Sequence, residues 1–406
     1  MSTNPTKRIE EIDRRLEELP KGTLTYKKIN GKEQPYIQRT IDGKSVSYYV
    51  KVSEREKVLV EFEERTKLQE EKRHLTAYVE GLKDILKHNP YLSAKVVIGY
   101  QDFEDFTCGQ QFYVDKTHFI TEWIREGTKI TLITRPRRFG KTTLLSTVRM
   151  FFDPRYAEHP EYFSKLRVWQ DERSRSMFGS TPVISTSFGG CKGIDYKQSI
   201  RGMMGQLDTM YAHHEYLLDS PRLTEEDKET FKETRWGLFH NDTGHIENSI
   251  KKLCELLYKH FGVKPIVLID EYDTPLIEAY TDGYWDEMIT TCRQLFHITL
   301  KENDYLGRAI ITGVTKVSKN SLFSDLNNLL VATVTDDIYT DCCGFTEQEV
   351  MDALKCQNID DMKKVKEMYD GFIIGHQKDI YNPWSIVTYM KERLLRSYWI
   401  LTSSNK

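Results

Sequence analysis

Ile9, Ile12, Leu16 and Leu19 recur at alternating steps of three and four, which lines one face of a helix and predicts a short amphipathic helix over 7–19. Pro20 and Gly22 end it. Three runs follow, 23–29, 34–41 and 45–52, separated by Asn30-Gly31 and Asp42-Gly43, pairs that accept positive φ and favour tight hairpins. They predict a three-stranded β-meander. Ser53 and Glu56 have the spacing of a capping box, and a charged segment with Leu68, Leu75 and Leu82 in heptad register then runs to His88, before Asn89-Pro90. Such a coiled-coil-like helix would lay its stripe against the first one as an antiparallel helix pair.

From Tyr91 the pattern changes to apolar runs alternating with longer amphipathic segments, the mark of an α/β domain with a mostly parallel sheet. The predicted strands are 129–134, 182–188, 265–270, 308–313 and 330–334, with helices at 141–152, 245–261 and 284–301. Past Asp336 the signals turn helical: 346–356, capped by Thr346 and Glu349, then a segment ending at Asp370-Gly371, then 383–396. The expected domains are an N-terminal module over 1–90, a core over 91–335 and a helical lid over 336–406.

With 406 residues, 39% of them hydrophobic and 29% charged, the chain can bury a sizeable core. A net charge of −3 argues against one dominant polyanion-binding surface, while leaving room for local basic patches. Lys27, Lys28, Lys32, Arg39, Tyr48 and Tyr49 form one such patch on or beside the meander. Basic and aromatic residues in that mixture suit phosphates and bases, so 1–90 is a candidate module for a protein partner, a homo-oligomer or nucleic acid; the other reading is a small appendage with solvated charges. Seven cysteines show no zinc-type spacing and read as reduced thiols. No leader-like apolar core and no run of roughly 18 apolar residues is visible, so the expectation is a soluble cytoplasmic chain without a membrane span.

The candidate chemistry lies in "ITLITRPRRFGKTTLLSTVRMFF", residues 130–152. Gly140, Lys141 and Thr142 fill the last three places of G-x-x-x-x-G-K-[ST], the loop whose backbone N–H groups cradle phosphates at a helix N-terminus. An apolar run precedes the loop and an amphipathic helix follows it, as that mechanism requires. Arg138, Phe139, Gly140, Lys141, Thr142 and Thr143 are therefore the expected nucleotide-binding residues. Arg135 stands where the first glycine belongs. The Arg135-Pro136 pair offers a different tight turn, and Arg135 and Arg138 are also candidates to contact acids elsewhere in the domain.

A second element, "PIVLIDEYD" at 265–273, reads as a buried strand ending in acids. There Asp270, with the Thr142 hydroxyl, would hold Mg2+, and Glu271 would orient and polarise a water. Lys141 would reach the phosphates. Thr312, with Thr315 second, is the candidate γ-phosphate sensor on the strand that would lie beside the acidic one. Arg293 and Arg308 are available as arginines acting in trans. No guanine-reading N-K-x-D is visible, which favours ATP.

These residues resemble the AAA-ATPase-like family. The resemblance rests on "YVDKTHFITEWI" (113–124), "ITRPRRFGKTTLLS" (133–146), "PVISTSF" (182–188), "VLIDEYDTP" (267–275), "ITGVTKVSKNSLFSDLNNL" (311–329), "GFTEQEV" (344–350) and "YDGF…YNPWSIV" (369–387), and covers roughly residues 96–406. It implies a P-loop NTPase core with a central strand added between the Walker A and Walker B strands. It makes the R-P-R-R-F-G-K-T loop the family's own form, and carries Lys141, Thr142, Asp270 and Glu271 into nucleotide roles, with Asp273 assisting. Members usually continue into a nuclease-like domain of the PD-(D/E)XK type. This sequence ends at "YWILTSSNK", so nuclease activity is not expected of it, and the N-terminal module lies outside the usual core. The leading expectation is an ATP-binding protein, a slow Mg-dependent ATPase acting as a switch or motor. The alternatives are a nucleotide-bound scaffold working through 1–90, and the ATPase part of a nucleic-acid-processing or defence assembly.

Overall fold

The structure, a computed structural model, describes residues 5–41, 43–317, 322–323, 326 and 328–398. The chain divides into two units, Met1–Lys87 and His88–Lys406. The first holds helix α1 (Pro5–Glu18), strands β1 (Thr23–Ile29), β2 (Lys32–Ile41) and β3 (Lys44–Tyr49), and the long helix α2 (Arg55–His88). The strands form an antiparallel sheet in the order β1-β2-β3. At the first turn Asn30 (φ 50°) and Gly31 (φ 76°) both take the left-handed conformation, whose twist matches that of the flanking strands. Asp42, of the second predicted turn, lies outside the described residues.

Helices α1 and α2 run antiparallel, with Arg8 paired to Glu71 at 2.8 Å, Arg15 to Glu64 at 2.7 Å, and Lys72 to Asp13. Ile12, Leu19 and Phe62 are buried in this unit, whereas the heptad residues Leu68, Leu75 and Leu82 are half-buried. Ser53 lies inside a 3₁₀ turn, Val52–Glu54, that leads into α2. It is therefore not the flanking cap that its spacing predicted.

In the second unit α3 (Phe103–Cys108) and α4 (His118–Glu126) precede β4 (Ile130–Thr134), and α5 (Lys141–Phe152) and α6 (Glu172–Ser176) lead to β5 (Val183–Ser187). Helices α7 (Tyr196–Ala212), α8 (Glu225–Phe239) and α9 (Ile246–Phe261) cross to β6 (Ile266–Asp270). Then α10 (Thr274–Asp282) and α11 (Trp285–Leu300) cross to β7 (Arg308–Gly313), which is followed by β8 (Leu329–Ala332). The five strands are parallel, in the order β5-β6-β7-β4-β8, so β7 lies between β4 and β6.

Helices cover both faces of this sheet, which is why β4 and β6 are buried at every position and read as unbroken apolar runs. Alternate residues go to opposite cores. Ile130, Leu132, Val267 and Ile269 join one with α7, α9 and α11, while Ile133, Leu268 and Ile310 join the other with α4 and α5. The segment 318–321, with 324, 325 and 327, inside the quoted "ITGVTKVSKNSLFSDLNNL", and the final 399–406 lie outside the described residues.

The expectation of a purely helical C-terminal segment needs correction. Besides α12 (Glu347–Cys356), α13 (Met362–Tyr369) and α14 (Pro383–Glu392), it contains β9 (Phe345–Thr346), β10 (Phe372–Ile374) and β11 (Gln377–Tyr381), an antiparallel sheet in the order β10-β11-β9. Strands of two to five residues are too short to show a period, so the helical signals around them dominated the pattern. The Thr346–Glu349 capping box is present in full. No helix among the described residues is long and apolar enough to cross a membrane.

Candidate nucleotide site

The C-terminal ends of parallel strands share one rim of a sheet, and here that rim collects the loops after β4, β5, β6 and β7. The loop after β4 runs from Arg135 to Gly140 and opens α5. Its left-handed residues are Arg138 (φ 66°) and Gly140 (φ 88°), and Arg135 is not among them. No glycine conformation is needed at position 135. At Gly140, the helix cap, a Cβ would meet nothing within 4 Å, so the space against the first turn of α5 is open.

Arg135 is fully buried. Its Nη1 donates to the carbonyls of Thr134 and Ala332, each at 2.9 Å, and its Nη2 to the Tyr339 carbonyl at 2.7 Å; its backbone N–H donates to Gly313 O at 3.1 Å. It makes no ion pair among the described residues, so the alternative in which Arg135 contacts an acid finds no partner there. A guanidinium with five N–H groups can tie together several backbone segments, whose carbonyls are good acceptors without being charged.

Lys141 is buried and its Nζ donates to the carbonyls of Arg135 and Pro136, each at 2.9 Å, with no ion pair among the described residues. Burial lowers its pKa below the ordinary lysine value, against an opposing pull from Cys343, Asp270, Asp273 and Glu271. A cation held only by neutral carbonyls at a helix N-terminus is matched to an arriving anion. Thr142 Oγ1 donates to Asp270 Oδ2 at 2.6 Å, joining the two motifs across 128 positions of sequence. The other oxygen of Asp270 accepts from Thr312 Oγ1 at 2.5 Å and from the Glu271 N–H at 2.9 Å. Thr312 is wholly buried, so it orients Asp270 and does not itself face the open space.

Glu271 holds φ 50°, an uncommon conformation for a residue with a side chain. Its Oε2 accepts from Thr274 Oγ1 at 3.1 Å and lies against Gly189, just past β5, where a Cβ would come within 2.7 Å of it. Asp273, in contrast, points into the turn after β7. Its Oδ2 accepts from the N–H groups of Val314 and Thr315 and from Thr315 Oγ1 at 2.7–2.9 Å. Asp273, to which the resemblance lends an assisting role, and Thr315, the second sensor candidate, are both engaged in holding this turn.

Phe139 is buried against Phe372, with ring centroids 4.8 Å apart, and can offer the site only its backbone. Thr143 is half-buried, and its carbonyl accepts from Thr147. The Arg138 guanidinium sits 4.9 Å over the ring of Trp384. Asn382 caps α14 through Ser385 N and reaches the Arg137 carbonyl at 3.5 Å, and Gly344 N donates to Phe139 O at 2.9 Å. The C-terminal segment therefore packs on the phosphate-loop residues themselves. Sequence reading did not single out Phe372, Asn382 or Trp384 for this, although "YNPWSIV" was among the quoted motifs.

Arg308 starts β7, at the opposite rim, where it donates to the carbonyls of Thr128 and Trp123 and covers the Trp123 ring at 3.5 Å. It is a structural residue. Arg293 is exposed on α11. His118, Glu122 and Asp341 bring potential metal-ligand atoms within 4.8 Å of one another. However, Arg167 Nη1 lies 3.3 Å from His118 Nδ1, and an arginine can only donate, while Nε2 lies 3.1 Å from Asp341 Oδ1. A guanidinium thus occupies the Nδ1 side of the ring, where a metal-bound histidine wants an acceptor.

A family model described as a predicted AAA-ATPase matches residues 97–323, more than half of the chain and all of the rim described above apart from the C-terminal contacts. The chain belongs to this family. Membership of the AAA-ATPase-like family implies nucleotide binding, usually with Mg2+. A second model, described as a domain of unknown function (DUF6788), matches residues 5–59. A protein of Azotobacter chroococcum mcd 1, described as "Uncharacterized protein in vnfD 5'region", is 30% identical over 317 residues, or 76% of this chain. The chain spans about half the length of that curated relative, matching 54% of it.

Proposed function

We propose that this chain binds ATP at the β4–α5 loop and hydrolyses it slowly with Mg2+, using the nucleotide state as a switch. The observation that carries the reading is the Thr142–Asp270 contact at 2.6 Å, which sets the phosphate-loop hydroxyl against the acidic strand end beside a buried Lys141 that makes no ion pair among the described residues. A hydroxyl and a carboxylate are the hard oxygen donors that magnesium takes, so Thr142 and Asp270 fit it and would hold it; the ion would supply positive charge to offset that of the phosphates. Lys141 exchanges its two carbonyl partners for phosphate oxygens. The N–H groups of 138–143 give the α5 N-terminus its anion-binding character, and Arg138 adds charge at the loop's edge. Glu271 accepts the proton of the attacking water. Thr312 is a positioning residue that keeps Asp270 directed at Thr142.

The switch part of the proposal is supported by the packing of Phe372, Asn382, Trp384 and Gly344 on residues 137–139. A loop that tightens on phosphate alters those contacts directly. Lys141→Ala tests the reading. It should lower affinity for a fluorescent ATP analogue at least tenfold, while bound nucleotide should change the protease sensitivity of residues 336–398 in the unmodified chain. Equal binding by Lys141→Ala would refute the phosphate site, and binding without any change in protease sensitivity would refute the switch.

A further inference from the structure

Charge is unevenly spread over the first unit. Between positions 21 and 52 there are seven Lys and Arg against two acids, in a chain whose net charge is −3. The strand register sorts these residues onto faces. Thr25, Tyr36 and Tyr49 form one cross-strand row, so Lys27 and Gln34 on one side of it, and Gln38 and Ser47 on the other, share its face. Leu24, Pro35, Ile37 and Val46 lie on the opposite face and are buried or half-buried.

The first face contains no carboxylate among its strand residues, and Ile29 is its sole aliphatic one. Its centre is an edge-to-face pair, Tyr36 and Tyr49, with centroids 5.5 Å apart. Lys27 Nζ lies 4.7 Å from the centre of the Tyr36 ring, and the Arg55 guanidinium lies 5.8 Å from that of Tyr49 while donating to Gln34 Oε1 and Tyr49 Oη. Gln38 and Ser45, joined by a 2.6 Å hydrogen bond, add exposed amide and hydroxyl groups. Of the six residues that sequence reading grouped as one patch, Lys27, Lys32 and Tyr49 are on this face; Lys28, Arg39 and Tyr48 are on the other.

We infer that this face of the β1–β3 sheet binds single-stranded nucleic acid, with Tyr36 and Tyr49 as the stacking platform and Lys27, Lys32 and Arg55 as phosphate contacts. Rings flanked by cations, with no acid among them, complement a strand whose bases are unstacked and whose backbone is anionic. A base arriving on Tyr36 takes the ring face that Lys27 covers and leaves that ammonium to meet the adjacent phosphate. Duplex offers no free base faces to such a platform. A protein partner would find almost nothing aliphatic to bury.

The test is fluorescence anisotropy of the full chain with a labelled single-stranded oligonucleotide of roughly 12 nucleotides, across a salt series. Three phosphate contacts predict a log–log salt slope of about −2, or roughly a 20-fold loss of affinity from 50 to 200 mM salt. Tyr36→Ala should weaken binding roughly 5- to 150-fold while Tyr36→Phe, which keeps the ring, binds as the unmodified chain does. Lys27→Gln should flatten the slope by about 0.7, and Lys28→Gln, on the opposite face, should leave it unchanged. Thermal melting of each variant checks that the module stays folded. No binding at 50 mM salt, equal affinity for duplex, or an undiminished affinity in folded Tyr36→Ala would overturn the proposal. The readout needs no ATP, so its failure would leave the ATP site untouched.

Discussion

Arg135 gives the sharpest test of how the phosphate loop stands without its first glycine. Replacing it by glycine restores the ordinary loop pattern in sequence but removes a buried side chain that donates to three carbonyls, on Thr134, Ala332 and Tyr339. Each acceptor left buried without a donor costs about 1–3 kcal/mol. Water entering the space of a whole arginine can satisfy part of that loss, so we expect a net destabilisation of about 3–5 kcal/mol. If His88–Lys406 melts cooperatively at about 2.1 cal/mol/K per residue, this lowers Tm by about 4–7 °C. Because the Arg135 guanidinium is buried and donates to backbone carbonyls, folded Arg135→Gly and Arg135→Met should still bind nucleotide within about threefold of the unmodified chain, a difference under about 1 kcal/mol. Differential scanning fluorimetry and titration with a fluorescent nucleotide measure the two quantities separately. An unchanged Tm would refute the staple, and a tenfold affinity loss at unchanged Tm would make Arg135 a phosphate contact.

Three further outcomes follow from the same geometry. In Gly189→Ala the new Cβ would lie 2.7 Å from Glu271 Oε2, so the carboxylate must move. Turnover should fall roughly 10- to 100-fold with nucleotide affinity kept, and unchanged turnover in steady-state assays would count against Glu271 as the base. Glu271→Gly relieves a φ of 50°, so denaturant unfolding should show stability unchanged or raised by about 1 kcal/mol while hydrolysis is lost; a clear drop in stability would contradict the strain argument. Burial depresses the Lys141 pKa, so in the nucleotide-free protein its charged form is disfavoured, and its contribution to stability rises with pH between the folded and unfolded values. A phosphate bound at Lys141 would restore the charged form. Binding at alkaline pH should therefore take up protons, seen by calorimetry in buffers of different ionisation enthalpy, and proton release would be inconsistent with the phosphate–Lys141 contact.

The α/β core was legible because its elements are long and its strands are buried on both faces. The predicted strand 129–134 and helix 141–152 correspond to β4 at Ile130–Thr134 and α5 at Lys141–Phe152, and the predicted 245–261 to α9 at Ile246–Phe261. The Gly-Lys-Thr loop and the Asp-Glu strand end were visible too, since each carries its chemistry within a few residues. What escaped the sequence depends on distant partners. Nothing near Arg135 indicates that its acceptors include carbonyls 197 and 204 positions away. Nor does the Asp-Glu-x-Asp spacing reveal that Asp273 turns toward residues 314 and 315 while Asp270 turns toward Thr142. The packing of Trp384 over Arg138 has the same character, because a cation–aromatic contact between far segments leaves no local pattern.

The central claim is that Glu271 drives hydrolysis at a site whose binding groups lie elsewhere. The most direct measurement is Mg-dependent ATP turnover by the purified chain beside Glu271→Gln, with nucleotide affinity determined for both. We expect similar affinity for the two and turnover only in the unmodified chain. Comparable turnover by Glu271→Gln, or the loss of nucleotide binding along with hydrolysis, would contradict it.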